Sequence, residues 1–140
     1  MKTALEKSMK IGFVNGCFDV LHIGHIRMLD FAKSCCDYLV VGIDSDTRVK
    51  QLKGETRPIN DEYDREEFLL ALQSVDAVEI FNTEQELIDL INCTKPDIMV
   101  VGSDYRDKRV IGSEHAKQLI FFDRIAGYST SKIVEGSGNR

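Results

Sequence analysis

The sequence predicts an α/β fold, a doubly wound five-stranded parallel sheet with helices on both faces. Three observations point there. Short β-branched apolar runs alternate with longer stretches of helical spacing, with little loop between them. The runs are apolar almost throughout, as in Tyr38-Leu39-Val40-Val41-Gly42-Ile43, which suits strands covered on both faces. The chain is 140 residues long, 43% hydrophobic and 29% charged, which is enough for one real core and not for a second full domain.

Met1–Met9 is charged and lacks the apolar stretch of a signal peptide, so it reads as a flexible lead-in. The domain is expected over residues 10–135. Its strands are Ile11–Asn15, Tyr38–Ile43, Ala77–Phe81, Ile98–Gly102 and Leu119–Phe122. Helices are expected at Gly24–Ser34, Asp61–Gln73, Glu84–Asn92 and Ser113–Gln118, with a last one at Ser129–Glu135. Thr83-Glu84-Gln85-Glu86 reads as a capping box ahead of Leu87, Ile88, Leu90 and Ile91. Asp61, Glu62 and Asp64 place carboxylates in a first turn, which complements the helix dipole. Gly136–Arg140 reads as a disordered tail. Ligands of such a sheet bind beyond the carboxyl ends of its strands.

Eighteen Lys and Arg against twenty-three Asp and Glu give a net charge of −5, the wrong sign for holding long nucleic acid. An anionic ligand must therefore meet a local positive pocket. Cys17, Cys35, Cys36 and Cys93 show neither metal-site spacing nor the density of a disulfide scaffold, which fits a reducing cytoplasm. No apolar run is long enough to span a bilayer, so no membrane is expected.

The first strand runs into Asn15-Gly16-Cys17-Phe18-Asp19-Val20-Leu21-His22-Ile23-Gly24-His25, at a strand-to-helix junction. A helix N-terminus offers N–H groups and partial positive charge to a phosphate, Gly24 lets the phosphate approach, and His22 and His25 add donors. Arg48, Lys50, Lys53 and Arg57 crowd the loop after the second strand, with Glu55 the only acid between Arg48 and Pro58. Asp104-Tyr105 follows a strand end, suited to hydroxyl recognition or to capping a turn. Arg106, Asp107, Lys108 and Arg109 form a charged loop. Ser129-Thr130-Ser131 opens the last expected helix, where N-capping explains one hydroxyl and three in a row after Gly127 allow phosphate contact as well. Cys17 lies beside the site without a partner pattern that would make it a nucleophile.

His22-Ile23-Gly24-His25, preceded by Gly16-Cys17-Phe18-Asp19, resembles the HxGH motif of the Rossmann-like nucleotidyltransferase superfamily related to class I aminoacyl-tRNA synthetases. The likeness continues in order through Leu52-Lys53-Gly54, Arg57-Pro58, Arg65, Val75-Asp76, Pro96-Asp97, Gly102-Ser103-Asp104-Tyr105, Ile111-Gly112-Ser113 and Gly127–Ser131, so it covers about residues 10–135. It is most similar to the heptose 1-phosphate adenylyltransferases of ADP-heptose synthesis. Next come glycerol-3-phosphate cytidylyltransferases, whose RTxGISTT segment Arg124–Ser131 resembles.

The resemblance implies transfer of the NMP part of ATP to a sugar 1-phosphate with release of pyrophosphate, with CTP and glycerol 3-phosphate as the alternative. It implies catalytic roles for His22, His25 and Lys53. Nucleotide contacts are implied for Asn15, Gly16, Cys17, Phe18, Gly24, Arg65, Gly102, Asp104, Arg124, Tyr128, Ser129, Thr130 and Ser131. Acceptor contacts are implied for Asp19, Arg57 and Tyr105. Mg²⁺ is expected to arrive on the nucleotide phosphates, no protein metal site is expected, and a homodimer is implied. Arg65 has a surface ion pair as its plain alternative. A phosphate monoester is mostly dianionic at pH 7 and already nucleophilic, so the enzyme must supply positioning and donors rather than a general base. Two other classes compete: a nucleotide-binding module without transfer, and an electron-transfer flavoprotein on a similar sheet.

Overall fold

The computed structural model describes residues 9–123 and the backbone of 128–135. The five expected strands are present and parallel: β1 (Ile11–Gly16), β2 (Tyr38–Asp44), β3 (Ala77–Phe81), β4 (Ile98–Gly102) and β5 (Gln118–Asp123). The sheet order is β3-β2-β1-β4-β5-β6, and β6 (Tyr128–Glu135) is antiparallel to β5. The helices are α1 (Ile23–Ser34), α2 (Asp46–Lys53), α3 (Glu62–Leu70) and α4 (Glu84–Thr94).

Alternation along the strands divides the core. Val14, Val41, Val78, Val100 and Ile120 face one side and pack with Leu29 of α1 and Leu69 of α3. Phe13, Val40, Met99, Val101 and Phe121 face the other and pack with Leu87 and Ile91 of α4. Successive strand residues point to opposite faces, so an uninterrupted apolar run fills both.

Three helix expectations are corrected. Ser129–Glu135 is strand β6: it pairs with β5, which would otherwise leave an open edge, and its backbone groups are satisfied there. Ser113–Gln118 is a single 3-10 turn, Ser113–His115, before β5 begins; six residues are too few to repay helix nucleation. The basic segment after β2, expected as a loop, contains α2. Ser45 caps it by accepting the Arg48 N–H at 3.1 Å, and Asp46 and Lys53 complement its dipole. Only Val49 of α2 is buried, so hydrophobic periodicity had nothing to report.

The capping box ahead of α4 forms with a shifted second arm. Thr83 accepts from Glu86 N–H, but the Glu86 carboxylate accepts from Asn82 N–H at 2.7 Å. The lead-in, except Met9, and the tail lie outside the described residues.

Topology fixes where a ligand can enter. The chain winds from β1 outward to β3, then returns to place β4 on the other side of β1. β1 and β2 stay in register over the whole of β1, whereas β1 and β4 pair only through Gly12–Ile98 and Phe13–Met99. The crevice at their carboxyl ends is the switch point of the sheet.

Candidate active site

A cavity of about 470 Å³ opens at that switch point. Asn15, Gly16, Cys17, Phe18, Asp19 and His25 line its centre, Asp44, Arg48, Lys53 and Arg57 one wall, and Gly102, Asp104, Tyr105, Val110 and Ile111 the other. The size suits a small-molecule site.

His22 is the N-cap of α1. Its Nδ1 accepts the Gly24 N–H at 3.0 Å, while its own backbone N–H donates to Nδ1 of His25 at 3.3 Å. The rings stack with centroids 3.8 Å apart. Because both Nδ1 atoms accept, the proton of each neutral ring resides on Nε2. The helix end is therefore not a bare row of N–H groups, because Gly24 donates to His22 Nδ1 and His25 N–H to His22 O. His25 lines the cavity; His22 is exposed beside it.

Phe18 holds His25 from the other side, edge to face at 5.3 Å. Its backbone is left-handed, φ 51°, which drives the ring under the turn. A Cβ on Gly16 would lie 3.0 Å from that ring, so glycine is what lets the turn close.

Asp19 is buried, and its carboxylate accepts from the N–H groups of Ile59 and Asn60 and from Arg57 Nε, all within 2.9 Å. Burial alone would raise its pKa. The Asn60 and Ile59 N–H groups and the Arg57 guanidinium outweigh that and hold it below the usual value. Asn60 Nδ2 returns a bond to Asp19 O. The segment 57–60 is thus strapped across the turn after β1.

Charge on the cavity wall is mostly matched. Arg57 neutralises Asp19, Arg48 neutralises Asp44 at 2.8 Å, and Arg109 meets Glu84 at 3.2 Å on the surface. Lys53, at the end of α2, is exposed and makes no ion pair among the described residues. It brings a positive charge to the cavity in a chain that is acidic overall.

The structure does not bring every expected residue to the cavity. Arg65 is fully buried and absent from its wall, with Nε on Asn60 O, Nη1 on the carbonyls of Cys17 and Asp44, and Nη2 on Asp46. Neither a direct phosphate contact nor a surface ion pair fits that placement, because every guanidinium nitrogen already donates inside the protein. Gly24 is buried behind His22 rather than on the wall. The three acceptor candidates, Asp19, Arg57 and Tyr105, all line the cavity, with the Asp19 carboxylate already bonded to Arg57. Tyr128, Ser129, Thr130 and Ser131 lie on β6, not at a helix start, and Arg124 lies outside the described residues.

Sequence reasoning missed Asp44, Val101, Val110 and Ile111 as wall residues, and it placed Arg109 only in a charged loop. Asp44 was findable as the last residue of its strand. The apolar wall residues had no signal distinguishing them from core. Cys17 sits on the wall half-buried, and burial pushes its thiol up against the opposing pull of Lys53 and Arg65. Among the described residues no cluster of three or more His, Cys, Asp or Glu is placed to hold a metal.

A family model described as cytidylyltransferase-like matches residues 13–136. Among curated proteins, the chain is 48% identical over 130 residues to "Bifunctional protein HldE" of Nitratiruptor sp., covering 93% of this chain and 28% of that protein. It is 46% identical over 129 residues to the protein of the same name from Helicobacter hepaticus, covering 92% and 27%. The chain thus spans under a third of the length of these relatives. Among solved structures it resembles a lipopolysaccharide core biosynthesis protein from Thermoplasma volcanium, with TM-score 0.62, 32% identity, and coverage of 74% of this chain and 80% of that one. The fold is shared with a pantoate-beta-alanine ligase from Francisella tularensis at TM-score 0.53 and 23% identity, over 71% of this chain and 51% of that one.

Proposed function

Because the chain belongs to the cytidylyltransferase-like family, we propose that it is a nucleotidyltransferase that joins the AMP part of ATP to a heptose 1-phosphate. An oxygen of the sugar phosphate attacks the α-phosphorus, the bond to the β,γ-pyrophosphate breaks, and an ADP-sugar and pyrophosphate leave. One observation supports this above the rest: His25 and Lys53 face one cavity at the switch point of the sheet, with His22 locked to His25. The acceptor dianion needs no base, so the residues have two tasks: holding two anions in line and donating to the charge that develops. Nε2–H of the histidines and Nζ of Lys53 are donors of that kind.

The wall after β4 offers Val101, Val110 and Ile111 as an apolar surface for a base, with Asp104 beside it for ribose. The opposite wall offers Lys53 and Arg57 to phosphate. Asp19 and Asp44 are already bonded to arginines, and no three-residue metal cluster is found among the described residues. That donor set fits Mg²⁺ held mainly through nucleotide phosphates, where it neutralises phosphate charge. A homodimer and a cytoplasmic location complete the reading. Among the described residues no helix is long and apolar enough to cross a membrane, and light scattering of the purified chain tests the dimer.

The function is tested by pyrophosphate release with Mg²⁺, pairing ATP or CTP with heptose 1-phosphate or glycerol 3-phosphate. ATP with the sugar phosphate is the expected productive pair. CTP with glycerol phosphate would overturn the choice of substrates, and nucleotide binding without release in any pairing would favour a binding module.

A further inference from the structure

Arg65 is the largest wholly buried side chain among the described residues. A buried guanidinium with one carboxylate contact, to a partly exposed Asp46, is a poor way to gain stability alone. Its other bonds show what it gathers. Cys17 O belongs to the turn that carries Phe18 and Asp19. Asp44 O is the carboxyl end of β2, whose carboxylate holds Arg48. Asp46 is the first residue of α2, whose last is Lys53, and Asn60 closes the strap that holds Arg57 against Asp19. Four segments therefore converge on one planar fork, with donor distances of 2.7 to 3.0 Å. None of its hydrogen bonds reaches the opposite wall, formed after β4.

We propose that Arg65 is a positioning residue that fixes the phosphate-bearing half of the cavity, with Lys53 and Arg57, as one unit for the phosphorylated acceptor. The wall after β4, which takes the nucleoside, is set independently of it. A lysine cannot replace the fork, since a single ammonium with three donors cannot span four acceptors at fixed angles. Misplacement of reacting groups by about 1 Å costs on the order of 10²-fold in rate.

The assignment of halves to substrates rests on the proposed transferase reading, so the test has a readout that needs no turnover. Arg65→Lys is compared with wild type by hydrogen exchange, by ATP titration and by acceptor kinetics, at a temperature where circular dichroism shows both folded. Expected are amides of Val49, Ile59 and Asn60 that exchange at least about tenfold faster, with those of β5 unchanged. Acceptor kcat/KM should fall about 10²-fold while the ATP Kd stays within about threefold. A lowered Tm with unchanged kinetics and exchange would overturn the proposal, as would equal losses in ATP binding and acceptor turnover. If Arg65→Lys does not fold, Asp46→Ala removes one arm of the fork. The same pattern at smaller amplitude is then expected, and unchanged exchange in α2 would overturn the idea. If wild type turns over no acceptor, the transferase reading fails, and exchange together with nucleotide titration still decides the role of Arg65.

Discussion

The backbone N–H of His22 donates to Nδ1 of His25, and the two rings stack 3.8 Å apart, so each histidine fixes the other. Two residues read from the sequence as parallel phosphate donors are one mechanical unit. The pair also ends the helix, which ties local stability to the chemistry proposed for it.

Removing either imidazole should lower kcat/KM by about 10²–10³, the usual cost of one preorganised donor. The variants differ in stability. His22→Ala removes the acceptor that caps Gly24 N–H and should cost about 0.5–2 kcal/mol, whereas His25→Ala should cost less. Urea titration and pyrophosphate release measure the two effects, and near-normal turnover in both variants would refute the catalytic roles.

Asp19→Asn should destabilise the fold and loosen the 57–60 strap. Its carboxylate is held below the ordinary 3.8 despite burial, by Asn60 and Ile59 N–H and by Arg57. The folded state therefore binds this proton less readily than the unfolded chain. The stabilisation is fully present above pH 3.8 and is lost as pH falls through the depressed folded value. Leaving such buried donors without their charged acceptor costs about 1–3 kcal/mol. Urea midpoints of wild type and Asp19→Asn should converge as the pH is lowered; a gap that stays constant with pH would refute the assignment.

Gly16→Ala should harm turnover more than folding. The new methyl would press on the Phe18 ring, which must shift by a few tenths of an ångström, and Phe18 in turn abuts His25. The expected result is a kcat reduced about tenfold or more, consistent with the sensitivity of rate to small misplacements, with only a small shift in Tm. Unchanged kinetics would mean that the Phe18 contact does not position His25.

Cys17 should be slow to alkylate at neutral pH despite lining the cavity. Burial raises its pKa above 9.0, so the thiolate is scarce, whereas Cys93 is exposed. Iodoacetamide followed by peptide mapping should label Cys93 first, with Cys17 reacting only as the pH becomes alkaline. Cys17→Ser should retain turnover, and loss of activity in that variant would revive a chemical role for the thiol.

The five parallel strands and the three helices that pack on them were legible because they rest on a local code. An apolar run of five or six residues, or a stripe such as Leu87 and Ile91, records how many faces an element buries. The motif His22-Ile23-Gly24-His25 was legible for a related reason, since its chemistry lies within four consecutive residues. Helix α2 was not, because it rests on a serine cap and a dipole with only Val49 in the core. β6 was not, because a polar segment becomes a strand only when β5 offers it an unpaired edge.

The sequence by itself determined the five parallel strands and the position of the histidine turn at a strand end. Tertiary structure alone decided that Arg65 faces inward beneath the cavity, that Asp19 is occupied by Arg57 and a strap some forty residues away, and that Lys53 makes no ion pair among the described residues. Periodicity reports burial along a segment, whereas a charged side chain's partner is chosen by whichever carbonyl or carboxylate folding brings within 3 Å. That choice is made across the chain, between residues whose separation in sequence carries no signal.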